Sequence, residues 1–279
     1  MGTVRQALAD TSRRLAQAGV ADAEREAAWL LAHVMGTSAG ALRLRQEAAI
    51  SPEAYQHLGQ LADRRANWEP IQYILGTEEF MGMTFKVTPA VLIPRTDTEV
   101  LVRQTANRLH GEVHIADIGT GSGAVAVSLA VLLPKASIVA IDICPDALAV
   151  ARENAAVNGV AQRIDFRQGD LLAPCRGESF DAIVSNPPYI GEAEWDQLMP
   201  EVRLYEPRTA LTPPGDALLF YRRLAAEGPP LLKVNGVLAA EVGYTQAASV
   251  RALFEQAGLG VSVWPDSAGM ERVVLGIGS

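Results

Sequence analysis

Cysteine is scarce in this sequence, which contains only Cys144 and Cys175. The two lie far apart and form no Cys-x-x-Cys pattern, so neither a zinc site nor a disulfide framework is indicated. Long apolar runs are absent as well, because the longest, residues 124–133, is too short to span a bilayer. We therefore expect reduced thiols, no bound metal and no membrane association.

The chain also lacks an excess of positive charge. Its 24 basic and 32 acidic residues give a formal net charge of −8, so general attraction to nucleic acid phosphates is missing. The hypothesis of a DNA or RNA substrate is therefore less well supported, although the charge does not exclude it. We expect no stable nucleic acid binding. The N-terminus carries Asp10, Arg13 and Arg14 where a signal peptide needs an apolar segment. The expected location is the cytoplasm.

The residues that are present favour a globular α/β protein of two domains. Residues 1–75 are rich in Ala, Leu, Gln, Arg and Glu, with apolar side chains at helical spacing, and they predict a small helical bundle. Residues 76–98 alternate apolar and polar side chains around Gly82 and predict a β-hairpin linker. Residues 99–279 alternate helical and strand patterns, which predicts one α/β domain.

Strand candidates in this third region lie at 113–118, 137–142, 164–168, 180–185, 236–241, 258–264 and 272–277. The first four each lead toward a helix or a loop of crossover length, which is typical of a parallel, doubly wound sheet. The last two are separated by a short segment only. We expect them to form an antiparallel hairpin.

A glycine-rich turn, DIGTGSG at residues 117–123, lies between the first of these strands and an apolar helix. Such glycines let a nucleotide-type ligand approach the backbone at a helix N-terminus. The turn satisfies the G-x-G-x-x-A dinucleotide fingerprint, and Asp142 at the next strand end could hold ribose hydroxyls. The carboxylate of Asp117 would repel a pyrophosphate and suits a cation such as S-adenosylmethionine. An ordinary tight turn with a capping acid remains open.

Gly169-Asp170-Leu171 follows the third of these strands. Asp170 could accept a hydrogen bond from an adenine amine while Leu171 covers one face of the ring. A simple aspartate-containing turn would have the same sequence.

The tetrapeptide Asn186-Pro187-Pro188-Tyr189 directly follows the fourth strand, so we expect it to face the glycine turn across the crevice of a parallel sheet. Asn186 and Pro187 offer carbonyl oxygens to both N–H groups of a planar NH₂, and Tyr189 offers a flat face. An amide nitrogen is a poor nucleophile, and no side chain here could remove its proton outright. Orientation toward a sulfonium methyl must therefore do most of the work. A rigid loop with an exposed aromatic is the alternative interpretation.

Together these motifs resemble the HemK/PrmC family, the release factor glutamine methyltransferases. The similarity extends to EPIQYILG at 69–76, VLIPR at 91–95 and EPRTAL at 206–211. The resemblance implies a Rossmann-like, seven-stranded S-adenosylmethionine methyltransferase domain after a helical domain that holds the release factor. It also implies N5-methylation of the glutamine in the Gly-Gly-Gln motif of class I peptide chain release factors, with S-adenosylhomocysteine as the second product.

The motifs and the resemblance assign residues to each part of the site. Predicted donor-binding residues are Asp117, Gly119, Thr120, Gly121, Ser122, Gly123, Asp142, Asp170, Leu171 and Asn186. Predicted glutamine-binding residues are Asn186, Pro187, Pro188 and Tyr189, of which Asn186, Pro187 and Tyr189 are the predicted catalytic residues. Two positions depart from the family pattern: Thr96 replaces a frequent proline, and Leu171 replaces an aromatic found in some members, which could weaken adenine stacking. Whether Arg95, Glu99 or Glu241 touches a ligand is left open.

Three other functions are compatible with parts of the sequence. An exocyclic adenine amine presents the same planar NH₂, so a nucleic acid adenine methyltransferase is the main alternative. A translation-factor binder could keep the fold without catalysis. A nicotinamide dehydrogenase is less well supported, because all four histidines precede the glycine turn and none suits a proton shuttle.

Overall fold

A computed structural model describes residues 2–278 of the chain, which divides into two compact units. The first, here called the helical unit, comprises Met1–Gly76 and Met199–Tyr205, and the second, the sheet unit, comprises Thr77–Leu198 and Glu206–Ser279. The boundary between Gly76 and Thr77 falls where a left-handed glycine (φ 77°) ends a helix. None of the helices in the described residues is long and apolar enough to cross a membrane.

The helical unit begins with α1 (Val4–Gln17), α2 (Ala23–Val34), α3 (Ala39–Leu42), α4 (Pro52–Ala66) and α5 (Ile71–Leu75). A capping box starts α1: the Thr3 hydroxyl accepts the backbone N–H of Gln6 at 3.3 Å, and the Gln6 side chain accepts that of Thr3 at 2.9 Å. The apolar faces of these helices pack into one core that contains Val4, Leu15, Leu30, Leu31 and Leu58.

The elements after residue 76 are β1 (Thr77–Phe80), β2 (Met83–Lys86), α6 (Thr98–Ala106), β3 (His114–Ile118), α7 (Ala124–Leu132), β4 (Ser137–Asp142), α8 (Pro145–Val157), β5 (Ile164–Gln168), β6 (Phe180–Ser185), α9 (Pro200–Tyr205), α10 (Arg208–Leu211), α11 (Leu219–Glu227), β7 (Leu232–Glu241), α12 (Ala247–Gln256), β8 (Gly260–Pro265) and β9 (Glu271–Ile277). Short 3₁₀ turns lie at Ala161–Arg163, Ala173–Cys175, Glu192–Gln197 and Pro229–Leu231. All of these belong to the sheet unit except α9, which belongs to the helical unit.

The seven-stranded sheet has the order β5-β4-β3-β6-β7-β9-β8. The first five strands in this order run parallel, and β9 is antiparallel to both β7 and β8. The α/β fold, the parallel half and the terminal hairpin predicted from the sequence are therefore confirmed. The chain builds outward from β3 through β4 to β5 and then returns to place β6 on the other side of β3. The ends of β3 and β6 thus form a topological switch point, where α/β sheets bind ligands.

Both faces of the sheet are buried. Alternate residues of a strand point to opposite faces, so Ile115 joins the core under α6 and α7 while Ala116 joins the core under α11 and α12. This explains why the strands read as nearly continuous apolar runs and not as alternating patterns.

The predicted hairpin is present as β1 and β2, an antiparallel pair within the sheet unit. The buried side chain of Asn154 in α8 fixes it in place. The Asn154 Oδ1 accepts the backbone N–H of Lys86 at 2.6 Å, and its Nδ2 donates to the carbonyls of Lys86 at 3.0 Å and Ser122 at 2.8 Å. One amide therefore connects the hairpin to the end of the glycine turn.

A buried ion pair holds the helical unit together. The Arg65 guanidinium donates to both carboxylate oxygens of Glu26, at 2.5 and 3.2 Å, and the two side chains are only 6% and 10% exposed. Arg65 also pairs with Glu201 at 2.7 Å, and the Tyr205 hydroxyl donates to the carbonyl of Asn67 at 2.7 Å. These contacts explain why residues 199–205 belong to this unit although the chain on either side of them does not.

Replacing Arg65 with methionine should lower the free energy of unfolding by about 3–5 kcal/mol, because it leaves the Glu26 carboxylate buried without its partner. Urea denaturation followed by circular dichroism measures this change. The control is Arg5→Met, since Arg5 and its partner Glu47 are 63% and 76% exposed and such a pair contributes at most about 1 kcal/mol. Equal shifts in the two variants would contradict a structural role for the buried pair.

Candidate active site

The carboxyl ends of β3, β4 and β6 surround a cavity of about 430 Å³. Both motifs singled out in the sequence contribute to its wall, as the parallel sheet predicted. From the predicted set, the lining contains Asp117, Gly119, Thr120, Gly121, Ser122, Asp142, Asp170, Leu171, Asn186, Pro187 and Pro188. Among the described residues, Gly123 and Tyr189 are the two of the set that lie outside the lining.

The glycine turn contains three residues with a positive φ angle, which is 71° for Gly119, 55° for Gly121 and 81° for Gly123. Side chains rarely adopt this left-handed backbone, which is why glycine occupies all three positions. Gly123 has a second reason: a Cβ placed there would lie 3.1 Å from the Cβ of Ala151 in α8. Its position keeps α7 and α8 in close contact, so the geometry gives Gly123 a packing role beside the cavity.

Asp117 is buried next to the glycine turn and stabilises it by accepting hydrogen bonds. Its carboxylate is 1% exposed, and one oxygen accepts the Thr120 hydroxyl at 2.7 Å and the backbone N–H of Ala126 at 3.1 Å. Burial raises the pKa of Asp117 to about 7, although both hydrogen bonds lower it. A carboxyl that is half neutral near pH 7 attracts a cationic ligand less than the sequence argument assumed.

Asp142 ends β4 and holds the turn from the other side. One carboxylate oxygen accepts the backbone N–H of Gly121 at 2.8 Å, and the other accepts that of Cys144 at 2.9 Å. Each oxygen keeps further lone pairs that can accept from a ligand. The side chain is therefore pre-oriented toward the cavity, as a receptor for two neighbouring hydroxyls must be.

Asp170 and Leu171 both line the cavity, but each has a structural feature that the sequence did not predict. The Arg223 guanidinium donates to both carboxylate oxygens of Asp170 at 2.9 Å, and Leu171 adopts a left-handed backbone with φ 47°. Phe220 lies in α11 one turn before Arg223 and also lines the cavity. Phe220 is therefore an aromatic side chain in the cavity lining, whereas position 171 carries a leucine. Sequence reasoning overlooked it because α11 carries no motif and lies far along the chain.

The Asn-Pro-Pro-Tyr segment leaves β6 beside the glycine turn. The Ser185 hydroxyl donates to the carbonyl of Ile118 at 2.8 Å, which joins the ends of β6 and β3. The Asn186 Nδ2 donates to the Thr98 hydroxyl at 3.1 Å, and Thr98 itself lines the cavity. Thr98 is a site residue that sequence reasoning missed, because it opens a helix and belongs to neither motif.

Tyr189 forms hydrogen bonds with two residues outside the cavity lining. Its hydroxyl donates to Glu241 at 3.3 Å, and its backbone carbonyl accepts from the Gln246 side chain at 2.8 Å. Burial raises the pKa of Tyr189 above its ordinary value, so the phenol is neutral. Stacking of its ring on a substrate plane stays a prediction.

The three charged residues left open by the sequence occupy different places. Arg95 lines the cavity and forms an ion pair with buried Glu206. Glu99 accepts the backbone N–H of Met81 at 2.9 Å and pairs with Arg103. Glu241 is buried behind the cavity wall, where burial raises its pKa to about 7.

The amino-acid sequence matches two family models, the PrmC N-terminal domain at residues 6–76 and the methyltransferase small domain at residues 95–242. It is 46% identical to the release factor glutamine methyltransferase of Moorella thermoacetica, over 98% of both chains. This chain belongs to the release factor glutamine methyltransferase family. The relative of that name from Geobacter sulfurreducens is 42% identical over 98% of this chain and 96% of its own.

The predicted resemblance to the release factor glutamine methyltransferase family is thereby confirmed. Among solved structures, a methyltransferase from Pyrococcus furiosus superposes with a TM-score of 0.53, covering 72% of this chain and 91% of that chain at 18% identity. At that identity the likeness concerns the fold alone.

Asp117 should make stability depend on pH. Its pKa lies at about 7 in the folded chain and near 3.8 when unfolded, so its stabilising contribution is complete below about pH 4 and lost as pH rises through 7. In Asp117→Asn this dependence is removed. The free energy of unfolding of the variant minus that of the wild type should therefore increase between about pH 5 and about pH 8.

Urea denaturation at the two pH values measures the difference. The pH-dependent contribution of Glu241 to the free energy of unfolding cancels in this difference, because both proteins contain Glu241. The control is Gln162→Asn at an exposed position of the sheet unit, which changes no ionisable group and should therefore differ from wild type equally at both pH values. A pH-independent difference for Asp117→Asn would contradict the burial effect.

Proposed function

We propose that this protein transfers a methyl group from S-adenosylmethionine to the side-chain amide nitrogen, N5, of the glutamine in the Gly-Gly-Gln motif of class I peptide chain release factors. The observation that carries the proposal is the shared cavity, in which the glycine turn and Asn186-Pro187-Pro188 face one space. Membership of the release factor glutamine methyltransferase family supports the choice of a glutamine amide as acceptor.

The residues of the cavity fit the donor. The turn at Gly119 and Gly121 brings backbone close to a ligand, Asp142 offers carboxylate oxygens to ribose hydroxyls, and Phe220 with Leu171 offers apolar surface to adenine. A volume of about 430 Å³ lies within the range of pockets for ligands of this size. S-adenosylmethionine supplies an electrophilic methyl on a positively charged sulfur.

The protein contributes orientation to the reaction. Asn186 Oδ1 and the carbonyl of Pro187 would accept the two N–H groups of the glutamine amide, so that its nitrogen lone pair points at the methyl carbon. The N–C bond forms as the S–C bond breaks, the bonding pair returns to sulfur, and the excess proton on nitrogen leaves to water. Fixed acceptors stabilise the positive charge that develops on the NH₂ group without reorganising during the step.

The same chemistry would serve an exocyclic adenine amine, but no observation favours it here. The net charge of −8 gives no general attraction for nucleic acid, and the full-length relatives carry the release factor glutamine name. We further propose that the helical unit binds the release factor. Because release factors act in translation, the activity belongs in the cytoplasm.

Mass spectrometry tests the proposal directly. Purified protein is incubated with S-adenosylmethionine and a class I release factor, and the Gly-Gly-Gln peptide is then sequenced by fragmentation. A mass gain of one methyl on the glutamine is expected, and none on the same factor with that glutamine replaced by asparagine. An unmodified glutamine, or methyl incorporation into RNA or DNA instead, would overturn the assignment.

Asn186→Ala should lower kcat by about 10²–10³-fold, because it removes an acceptor that the NH₂ group needs most in the transition state. The dissociation constant for S-adenosylmethionine, measured by calorimetry, should change by less than about tenfold, since the donor keeps its other contacts. Exposed Asn107→Ala is the control and should behave like wild type. Turnover of Asn186→Ala within about a factor of two of wild type would remove the proposed role.

A further inference from the structure

The Asn-Pro-Pro-Tyr segment is a stiff piece of backbone. Proline locks φ at about −65° and has no N–H, and the residue before a proline is restricted as well. Pro187 and Pro188 therefore cannot donate backbone hydrogen bonds that would hold the segment in place. Its position, and with it the direction of the Pro187 carbonyl, must be set by contacts at its two ends.

The first end is fastened at the sheet. The Ser185 hydroxyl donates to the carbonyl of Ile118 at 2.8 Å. The Asn186 Nδ2 donates to the Thr98 hydroxyl at 3.1 Å. Ile118 and Thr98 both line the cavity, so this end is held by residues of the cavity wall itself.

The second end is fastened from outside the cavity lining, by Gln246. This residue is the N-cap of α12, and its Nε2 donates to the backbone carbonyl of Tyr189 at 2.8 Å. The Tyr189 hydroxyl also reaches Glu241, but at 3.3 Å, which is longer than an ordinary O–H···O hydrogen bond. The bond from Gln246 is therefore the principal polar contact at this end. Gln246 does not line the cavity in the described part of the chain.

The two ends of the Gln246 amide cannot be exchanged. Its Oε1 accepts the backbone N–H of Gly243 at 3.2 Å, while its Nε2 faces the Tyr189 carbonyl. A backbone N–H only donates and a backbone carbonyl only accepts, so a flipped amide would break both bonds. The side chain thus connects the turn after β7 to the end of the Asn-Pro-Pro-Tyr segment in one defined orientation.

Gly243 leaves room for this connection. A Cβ placed there would lie 3.0 Å from Gln246 Oε1 and 3.3 Å from Tyr189 Cδ2. Both distances are shorter than an ordinary van der Waals contact, so the Tyr189 ring lies directly against the backbone of the turn. The turn is itself attached to the sheet, because the Val242 N–H donates to the carbonyl of Arg272 in β9 at 2.8 Å. Gln246 therefore holds the segment against a firm support.

We propose that Gln246 is a positioning residue, which holds the far end of the Asn-Pro-Pro-Tyr segment so that the carbonyl oxygens of Asn186 and Pro187 stay directed at the acceptor NH₂ group. Gln246 acts through Tyr189 and carries out no chemical step. A stiff segment held at one end only can rotate about that end, and a misplacement of about 1 Å at reacting atoms can cost about 100-fold in rate. The inference rests on the proposed function, because it assumes that these oxygens receive an amide nitrogen.

Gln246→Glu tests the inference, because glutamate has the shape of glutamine but, when ionised, cannot donate to the Tyr189 carbonyl. It can still accept the N–H of Gly243, and a carboxylate is favourable at the N-terminus of α12. We expect kcat on the release factor to fall by about ten- to a hundredfold. The dissociation constants for S-adenosylmethionine and for the release factor should each stay within about threefold of wild type, since Gln246 does not line the cavity.

Gln246→Met removes both hydrogen bonds at nearly the same side-chain length. It should lower kcat as much as Gln246→Glu does, but it should lower the midpoint of urea denaturation further, because Gly243 loses its acceptor. The matched control is Gln256→Met, which is exposed at the end of the same helix and should keep the kcat and the midpoint of wild type. A loss of kcat in Gln246→Met alone would limit Gln246 to stabilising the turn before α12 and would overturn the inference.

The outcomes separate the inference from the proposed function. If kcat falls in both Gln246 variants while the two substrates still bind, the inference is supported. If wild type methylates the release factor and Gln246→Glu has the same kcat, the inference is overturned and the proposed function stands. If wild type leaves the Gly-Gly-Gln peptide unmodified, the proposed function fails and the inference fails with it.

Discussion

The parallel pairing of β3 with β6 is the constraint on which the site depends. Ile118 lies opposite Ser185 in this pair, so the residues that follow, Gly119 and Asn186, leave the sheet next to each other. The glycine turn and the Asn-Pro-Pro-Tyr segment, which are far apart in sequence, thereby line one cavity. The hydrogen bond from Ser185 to the carbonyl of Ile118 fastens the two strands at the point where they diverge. A one-residue slip would turn these side chains to the opposite face of the sheet.

Buried carboxyl groups hold the loops at this edge. Asp117 fixes the glycine turn from below, and Glu241 stands behind the Asn-Pro-Pro-Tyr segment. Burial raises the pKa of each to about 7, because few donors replace the lost water. The site is thus shaped by internal electrostatics as well as by side chains that face the cavity.

The helical unit depends on a different interaction. Arg65 connects Glu26 of α2 with Glu201 of α9, so a segment that follows the Asn-Pro-Pro-Tyr motif in the chain folds with the N-terminal helices. The sheet unit is consequently discontinuous in sequence, as it stops after Leu198 and resumes at Glu206. A linear division of the chain at its composition changes cannot reveal this, because α9 is only 6 residues long.

Local sequence alone determined the α/β class, the glycine turn and the Asn-Pro-Pro-Tyr segment. These features depend on periodicity and on backbone preferences within a few residues, as at Gly119 and Asn186. Only the tertiary structure decided which side chains support them. Thr98, Phe220 and Glu241 reach the site from separate elements through strand order and helix packing, so no local pattern marks them. Only the tertiary structure likewise buried Asp117 beside the turn and raised its pKa, because the cost of desolvating a charge depends on its surroundings.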